Sequence, residues 1–330
     1  MANQSAPFNF VLVGFPGLPQ NHHTLVSSAM FVVFIVSLFS NSAVVILIVW
    51  KKHLHEPMYV IIANLSLSDL LFDIITLPKI IARYWFGAIY MSFFDCMFQL
   101  FWVHYLGTVD SFIIMMMAID RYAAICMPLR YPALITNKRA AFICGFFWIL
   151  ASIFPAVNSI WHAQFPYCDS RKISNCFCVS FAVTSLACGN TNFVSKMAFW
   201  FAMAILLLPL SLIISSYIVI INTVFNSVKL GGRQKAIYTC TTHLIVIGMY
   251  YGPRVFVYVA YQLKLVPSLD INVLLLFLYT FIPHMANPII YCLRAREIKQ
   301  TIGKLFKLKL TFKIEGNFSR SNNLGILSNA

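Results

Sequence analysis

The chain has 330 residues, 60% of them hydrophobic and 10% charged, with a mean hydropathy of +0.79 and 24 Lys and Arg against 10 Asp and Glu, a formal net charge of +14. A water-soluble chain carries about a quarter charged residues, disorder requires low hydrophobicity, and a disulfide-built secreted scaffold packs cysteines more densely than 9 in 330. What remains is a protein whose apolar surface faces lipid, and the position of its basic residues decides what the +14 means.

A helix needs about 20 apolar residues to cross about 30 Å of hydrocarbon. Seven stretches qualify in chain order: Leu25 to Trp50, Met58 to Ile81, Phe93 to Ile119, Ala140 to Trp161, Met197 to Val224, Ala236 to Ala260 and Ile271 to Leu293. The first is too long for a signal-peptide core and has no basic region before it, so it reads as a retained helix. The predicted fold is an all-α membrane protein, a seven-transmembrane helix bundle. It divides into an N-terminus over 1–24, a seven-transmembrane bundle over 25–293 and a basic tail over 294–330.

Seven spans put the termini on opposite sides. Of the 24 basic residues, 17 fall in one set of connections, from Lys51 and Lys52 through Arg121, Arg130, Lys138 and Arg139 to the tail, and six in the other; Arg254 is left inside a span. By the positive-inside rule the N-terminus is extracellular and the tail cytoplasmic. The sequon beginning at Asn3 then lies on the glycosylated side. Cys96 and the loop cysteines Cys168, Cys178 and Cys188 share that oxidising side, where disulfides are permitted. A zinc cluster is the competing reading of those cysteines, although its usual Cys-x-x-Cys pairs are missing. Cys126, Cys144, Cys240 and Cys292 read as small packing residues, and Cys176 has no assigned role.

Ionisable side chains inside a span are costly and point to function. Asp69, Asp73, Asp110 and Arg254 qualify, with His104 and His243 beside them. Asp69 and Asp110 near mid-span invite a shared monovalent cation, or else a solvated polar network with Asn41 and Asn287. Pro288 removes a backbone donor, and Asn287 is placed to satisfy the freed carbonyl. Asp120, Arg121 and Tyr122 sit where span three reaches the cytoplasm, where composition alone suggests a solvated helix end. No catalytic constellation and no phosphate-cradling loop can be picked out.

With these features assembled, the chain closely resembles the odorant (olfactory) receptors of the rhodopsin-like G-protein-coupled receptor superfamily. The resemblance runs from Gly14-Phe15-Pro16-Gly17 to about Glu297. It is carried by Leu54-His55-Glu56-Pro57-Met58-Tyr59, by the run from Met117 through Asp120-Arg121-Tyr122 to Cys126, by Ser216-Tyr217, by the run from Lys235 to His243, and by Pro288-Ile289-Ile290-Tyr291. The Pro-Gly near the N-terminus, Glu56 and His104 look more like class I members, which tend to recognise water-soluble odorants such as short acids.

The resemblance implies roles. Arg121, released from Asp120, would engage a heterotrimeric stimulatory G protein, with Tyr122, Tyr217, His243, Asn287, Pro288 and Tyr291 in the rearranging set. Cys96 would pair with Cys178, and Cys168 with Cys188. Asp69 and Asp110 match positions proposed to hold sodium, and no other cofactor is implied. Odorant would lie in a mostly apolar pocket lined by His104, Gly107, Thr108, Ala198, Ala202, Tyr251, Val255, Tyr258 and Tyr279. Where acid-binding members carry an Arg, Gln262 stands here, and Arg254 lies two turns deeper. It is either an anchor for an anionic ligand or a cation paired within a vestibule.

The expected function is therefore ligand-driven population shift with no chemistry: a small, water-soluble odorant activates a stimulatory G protein and raises cAMP at the plasma membrane of olfactory sensory neurons. The tail is expected to meet anionic membrane lipid, and nucleic acid is not an expected partner. A small-solute or ion transporter or channel is the alternative, although repeats and paired broken helices are not visible.

Overall fold

The computed structural model describes residues 9–167, 171–227, 230–262, 265, 268–294, and within them some side chains are not described. Helix α1 spans His23–Trp50, α2 Pro57–Phe86, α3 Phe93–Cys126, α4 Tyr131–Leu134, α5 Asn137–Gln164, α6 Ser180–Thr184, α7 Asn192–Ser227, α8 Leu230–Gln262 and α9 Leu269–Arg294. Each of the seven expected spans lies inside one of the seven long helices. Six of these, among the described residues, are long and apolar enough to cross a membrane. The other is α8, which carries Arg233 and Lys235 ahead of its apolar run and Arg254 within it.

The helices begin and end where the chain supplies the local chemistry. Ser92 caps α3 by accepting the Asp95 N–H at 3.1 Å, and Thr136 caps α5 by accepting the Arg139 N–H at 3.3 Å. Pro57 opens α2, where its missing donor costs nothing. Gly87 closes α2 in the left-handed region at φ 66°. In the most apolar window of α3, 72% of residues are buried, against 22% in α5 and 28% in α1 and α7. So α3 is the central helix. Leu25, Phe39 and Trp50 on α1, Phe142 and Ile149 on α5, and Trp200, Leu208 and Ile218 on α7 present apolar surface outward. In water such a surface would aggregate; in a bilayer it costs nothing to leave exposed.

Prolines inside helices free the carbonyl four residues earlier, and two of these carbonyls find a donor on another helix. Pro209 frees Ile205 O, which accepts from Ser111 Oγ of α3 at 2.9 Å. Pro288 frees His284 O, which accepts from Asn41 Nδ2 of α1 at 3.0 Å. The sequence assigned this last duty to Asn287. Its amide instead donates to Asp69 Oδ2 at 3.0 Å, because a carboxylate is the stronger acceptor and Asn41 already serves the carbonyl.

One end of the bundle carries a small sheet that hydropathy does not reveal. Strand β1 (Asn9–Leu12) lies between β2 (Tyr90–Ser92) and β3 (Lys172–Ile173), antiparallel to the first, with Phe10 opposite Met91, and parallel to the second, with Leu12 opposite Ile173. Phe10 and Leu12 are fully buried, and their alternation with half-buried neighbours follows the two-residue period of a strand. Cys96 and Cys178 are joined beneath this sheet, with Cα atoms 5.5 Å apart. From Ile289 the chain forms a second unit. It holds the last turns of α9, in which Tyr291 is buried.

Candidate functional site

The expected odorant contacts fall on four helices. On α3, His104 is half-buried and its Nε2 accepts the Ser180 N–H at 3.1 Å. A nitrogen that accepts carries no proton, so the ring is neutral and tied to the connection between α5 and α7. The first turn of α6 is thereby hung from α3. The same connection is fixed to α5 by His162, which contacts Asn158 O and Thr184 Oγ1, each at 2.7 Å. One turn below His104, Thr108 turns its hydroxyl back to His104 O at 2.7 Å. Gly107 accepts from Tyr250 Oη at 2.5 Å, and a side chain added there would meet open space.

Tyr251 on α8 is buried and hydrogen-bonded to Ser111 Oγ at 2.7 Å. Ala198 and Ala202 on α7, and Val255 on α8, are half-buried. Tyr258 and Gln262 fall on α8, but their side chains lie outside the described residues, as do Asn3 and Cys168. Arg254 is half-buried, with its guanidinium 3.6 Å above the Tyr250 ring centroid and 5.6 Å from that of Tyr279 on α9. Among the described residues no carboxylate reaches salt-bridge distance of it, although Asp110 is within electrostatic reach. Two shallow clefts, of about 210 and 280 Å³, open elsewhere, beside Lys79 and Gln99 and beside Leu18 and Asp270; neither touches Arg254.

Deeper in the bundle, Asp69 and Asp73 of α2 and Asp110 of α3 surround His284 of α9, all at most 2% exposed. His284 Nδ1 lies 2.8 Å from Asp73 Oδ1, and Nε2 lies 3.5 Å from Asp69 Oδ1 and 3.9 Å from Asp110 Oδ2. Ser37 on α1 donates to the other Asp73 oxygen at 2.5 Å. His284 is absent from the residues singled out in the sequence, yet it meets the criterion that singled out the aspartates, being an ionisable group inside an apolar span.

At the opposite end from the sheet, Asp120 and Arg121 do not form a salt bridge. Asp120 Oδ1 accepts from Tyr131 Oη of α4 at 2.8 Å, and Arg121 directs its guanidinium to the Met58 sulfur at the start of α2. Tyr122 is half-buried beside them. Burial, followed by the Asp120 carboxylate, holds the Tyr131 phenol above its ordinary range, so it remains a donor. Tyr217 on α7 and His243 on α8 are buried within electrostatic reach of Arg121. Arg121 Nε, Tyr217 Oη and His243 Nδ1 each lack a hydrogen-bond partner, and three such groups close together form a site prepared for acceptors and donors from elsewhere.

The olfactory receptor family matches residues 30–309. Human olfactory receptor 2AT4 is 34% identical over 90% of this chain and 92% of its own, human olfactory receptor 2M3 is 35% identical over 92% and 97%, and rat olfactory receptor 1 is 31% identical over 92% and 96%. The chain belongs to the olfactory receptor family. It is a multi-pass membrane receptor for odorants and not an enzyme, and the transporter alternative falls with that assignment. In this olfactory receptor the disulfide implied by the resemblance, Cys96 to Cys178, is present, and Cys188 is also disulfide-bonded. The free Cys176 is fully buried in the apolar cluster under the sheet, with Sγ 3.9 Å from Tyr84 Oη, and burial pushes its thiol up to about 12.

Proposed function

We propose that this olfactory receptor recognises a small, water-soluble odorant bearing an acidic group, held at Arg254, and that it answers by activating a stimulatory G protein and raising cAMP. The observation that carries the reading is the seating of Arg254. Its guanidinium carbon lies over the rings of Tyr250 and Tyr279, without a carboxylate at salt-bridge distance among the described residues. A guanidinium has five N–H donors, so one that rests over aromatic rings and bonds to Tyr250 still has donors for a bidentate acid, and that pairing is strongest where water is scarce. The rest of the pocket would supply apolar contact, with the open space beside Gly107 admitting a short chain.

The coupling end follows the same logic. Asp120, held by Tyr131, leaves Arg121 free of its neighbour, and the unpartnered groups of Tyr217 and His243 stand ready to bind a helix of the G protein. An outside N-terminus, a cytoplasmic basic tail that meets anionic lipid, and residence in the plasma membrane of olfactory sensory neurons complete the proposal. The excess of basic residues opposite the disulfide end supports the orientation.

A cAMP reporter in cells expressing the receptor tests this against short carboxylic acids and the corresponding neutral alcohols. Acids are expected to activate, Arg254→Gln to lower their potency by about tenfold or more at normal surface expression, and Arg121→Ala to abolish the response. Equal potency of acids and alcohols, or an unchanged Arg254→Gln, would sink the acid-anchor reading.

A further inference from the structure

The polar core described above was expected from Asp69 and Asp110 alone to suit sodium. His284 changes the donor set. Sodium, magnesium and calcium prefer cages made only of oxygen, whereas one imidazole nitrogen with two carboxylates is chemistry for a borderline divalent transition metal.

From this geometry we propose that Asp69, Asp110 and His284 form a buried site for a zinc-class divalent cation. One ligand atom from each residue lies within 4.8 Å of the other two, a spacing that a single ion can bridge. A carboxylate only accepts, so His284 Nδ1 donates its proton to Asp73 Oδ1 at 2.8 Å. In the neutral ring the Nε2 lone pair then points toward Asp69 and Asp110. A carboxylate bonded to the far nitrogen of a ligating histidine is the arrangement that orients such ligands in zinc proteins, and Asp73 is itself steadied by Ser37 at 2.5 Å.

A second observation points independently to a ligand. Asp110 is 1% exposed, and neither of its carboxylate oxygens has a hydrogen-bond partner. The amide oxygens of Asn41 and Asn287, both buried in the same network, are likewise unpartnered acceptors. Against three carboxylates and two free amide oxygens stand one imidazole, the Ser37 hydroxyl, the Asn287 amide and, at longer range, Arg254, and the acceptors left over are ones that a dication with its bound water would answer.

The test uses the full-length receptor in lipid nanodiscs, with thermal stability and bound metal measured in ZnCl2, MgCl2 and NaCl at matched ionic strength. Zinc is expected to bind at one ion per receptor and raise Tm, and magnesium and sodium to do so far less. His284→Ala should remove the effect, and Asp73→Asn, acting only through the ring, should weaken zinc binding about 10- to 100-fold. A zinc response unchanged in His284→Ala, or a sodium response larger than that of zinc, overturns the site. If His284→Ala does not accumulate, cobalt in the unmodified receptor decides. A strong visible absorption lost on adding one equivalent of zinc supports the site, and the pale spectrum of the hexaaqua ion rejects it.

Discussion

Tyr131 Oη donates to Asp120 Oδ1 at 2.8 Å, so the carboxylate next to Arg121 is held by the short helix α4 and not by the arginine that follows it in sequence. The contact ties the loop to the end of α3 and keeps Arg121 turned toward Met58.

Tyr131→Phe leaves the Asp120 carboxylate, 1% exposed, without that donor. An unsatisfied buried acceptor costs about 1–3 kcal/mol. The variant is expected to lower Tm and to draw Arg121 back to Asp120, reducing the maximal cAMP response. Unchanged melting and unchanged signalling would show that the contact has no such role.

Tyr250 separates two contributions at Arg254. Tyr250→Phe keeps the ring face and loses the hydroxyl contacts to Gly107 O and Arg254, whereas Tyr250→Leu also removes the face over which the guanidinium lies. A partly desolvated cation–π contact is worth about 0.5–2 kcal/mol. Loss of the ring face is therefore expected to lower acid potency about two- to thirtyfold in the Leu variant, and by more than in the Phe variant. Equal losses in the two would assign the effect to the hydroxyl.

Gly14 has φ 66°, and a Cβ there would collide with the Tyr84 hydroxyl and the Arg83 side chain. Those are the groups that hold the N-terminal segment, since Tyr84 Oη accepts the Phe15 N–H at 2.9 Å and Arg83 binds Val13 O. Gly14→Ala is expected to cost at least about 1–3 kcal/mol in backbone strain and to detach the segment from the sheet. Faster amide exchange over residues 9–15 measures it, and wild-type protection in the variant would contradict it.

Cys176 is expected to resist maleimide in the native receptor at pH 7.5 and to react on unfolding, because its thiol is fully buried and held protonated up to about 12. A folded pKa above the unfolded value of about 8.5 gives stability that is complete below that pH and is lost as pH rises toward 12. Cys176→Ala should flatten part of that alkaline loss. Rapid native labelling at Cys176 would show that the apolar cover opens.

Hydropathy located all seven long helices, since lipid demands an uninterrupted apolar run. The helices outrun those stretches, as α3 does from Ile119 to Cys126 and α7 from Met197 back to Asn192, because the backbone stays hydrogen-bonded after the side chains turn polar. The sheet was not legible. Strands of two to four residues leave too short a period to detect, and β3 pairs with a partner far away in sequence. Of the polar core, the aspartates stood out as charges in apolar runs. The pairing of His284 with Asp73 depends on how α2 and α9 face each other, which no local pattern records.

The central place of β1 in the sheet also sets an order of events in biosynthesis. Its neighbour β3 is about 160 residues further along the chain, so the first strand to leave the ribosome has half its partners missing until four spans and the start of the next connection have been made. Such distant pairing is slow to form. The N-terminal segment therefore waits, and its locking between β2 and β3 marks a receptor whose sheet-bearing end has finished folding.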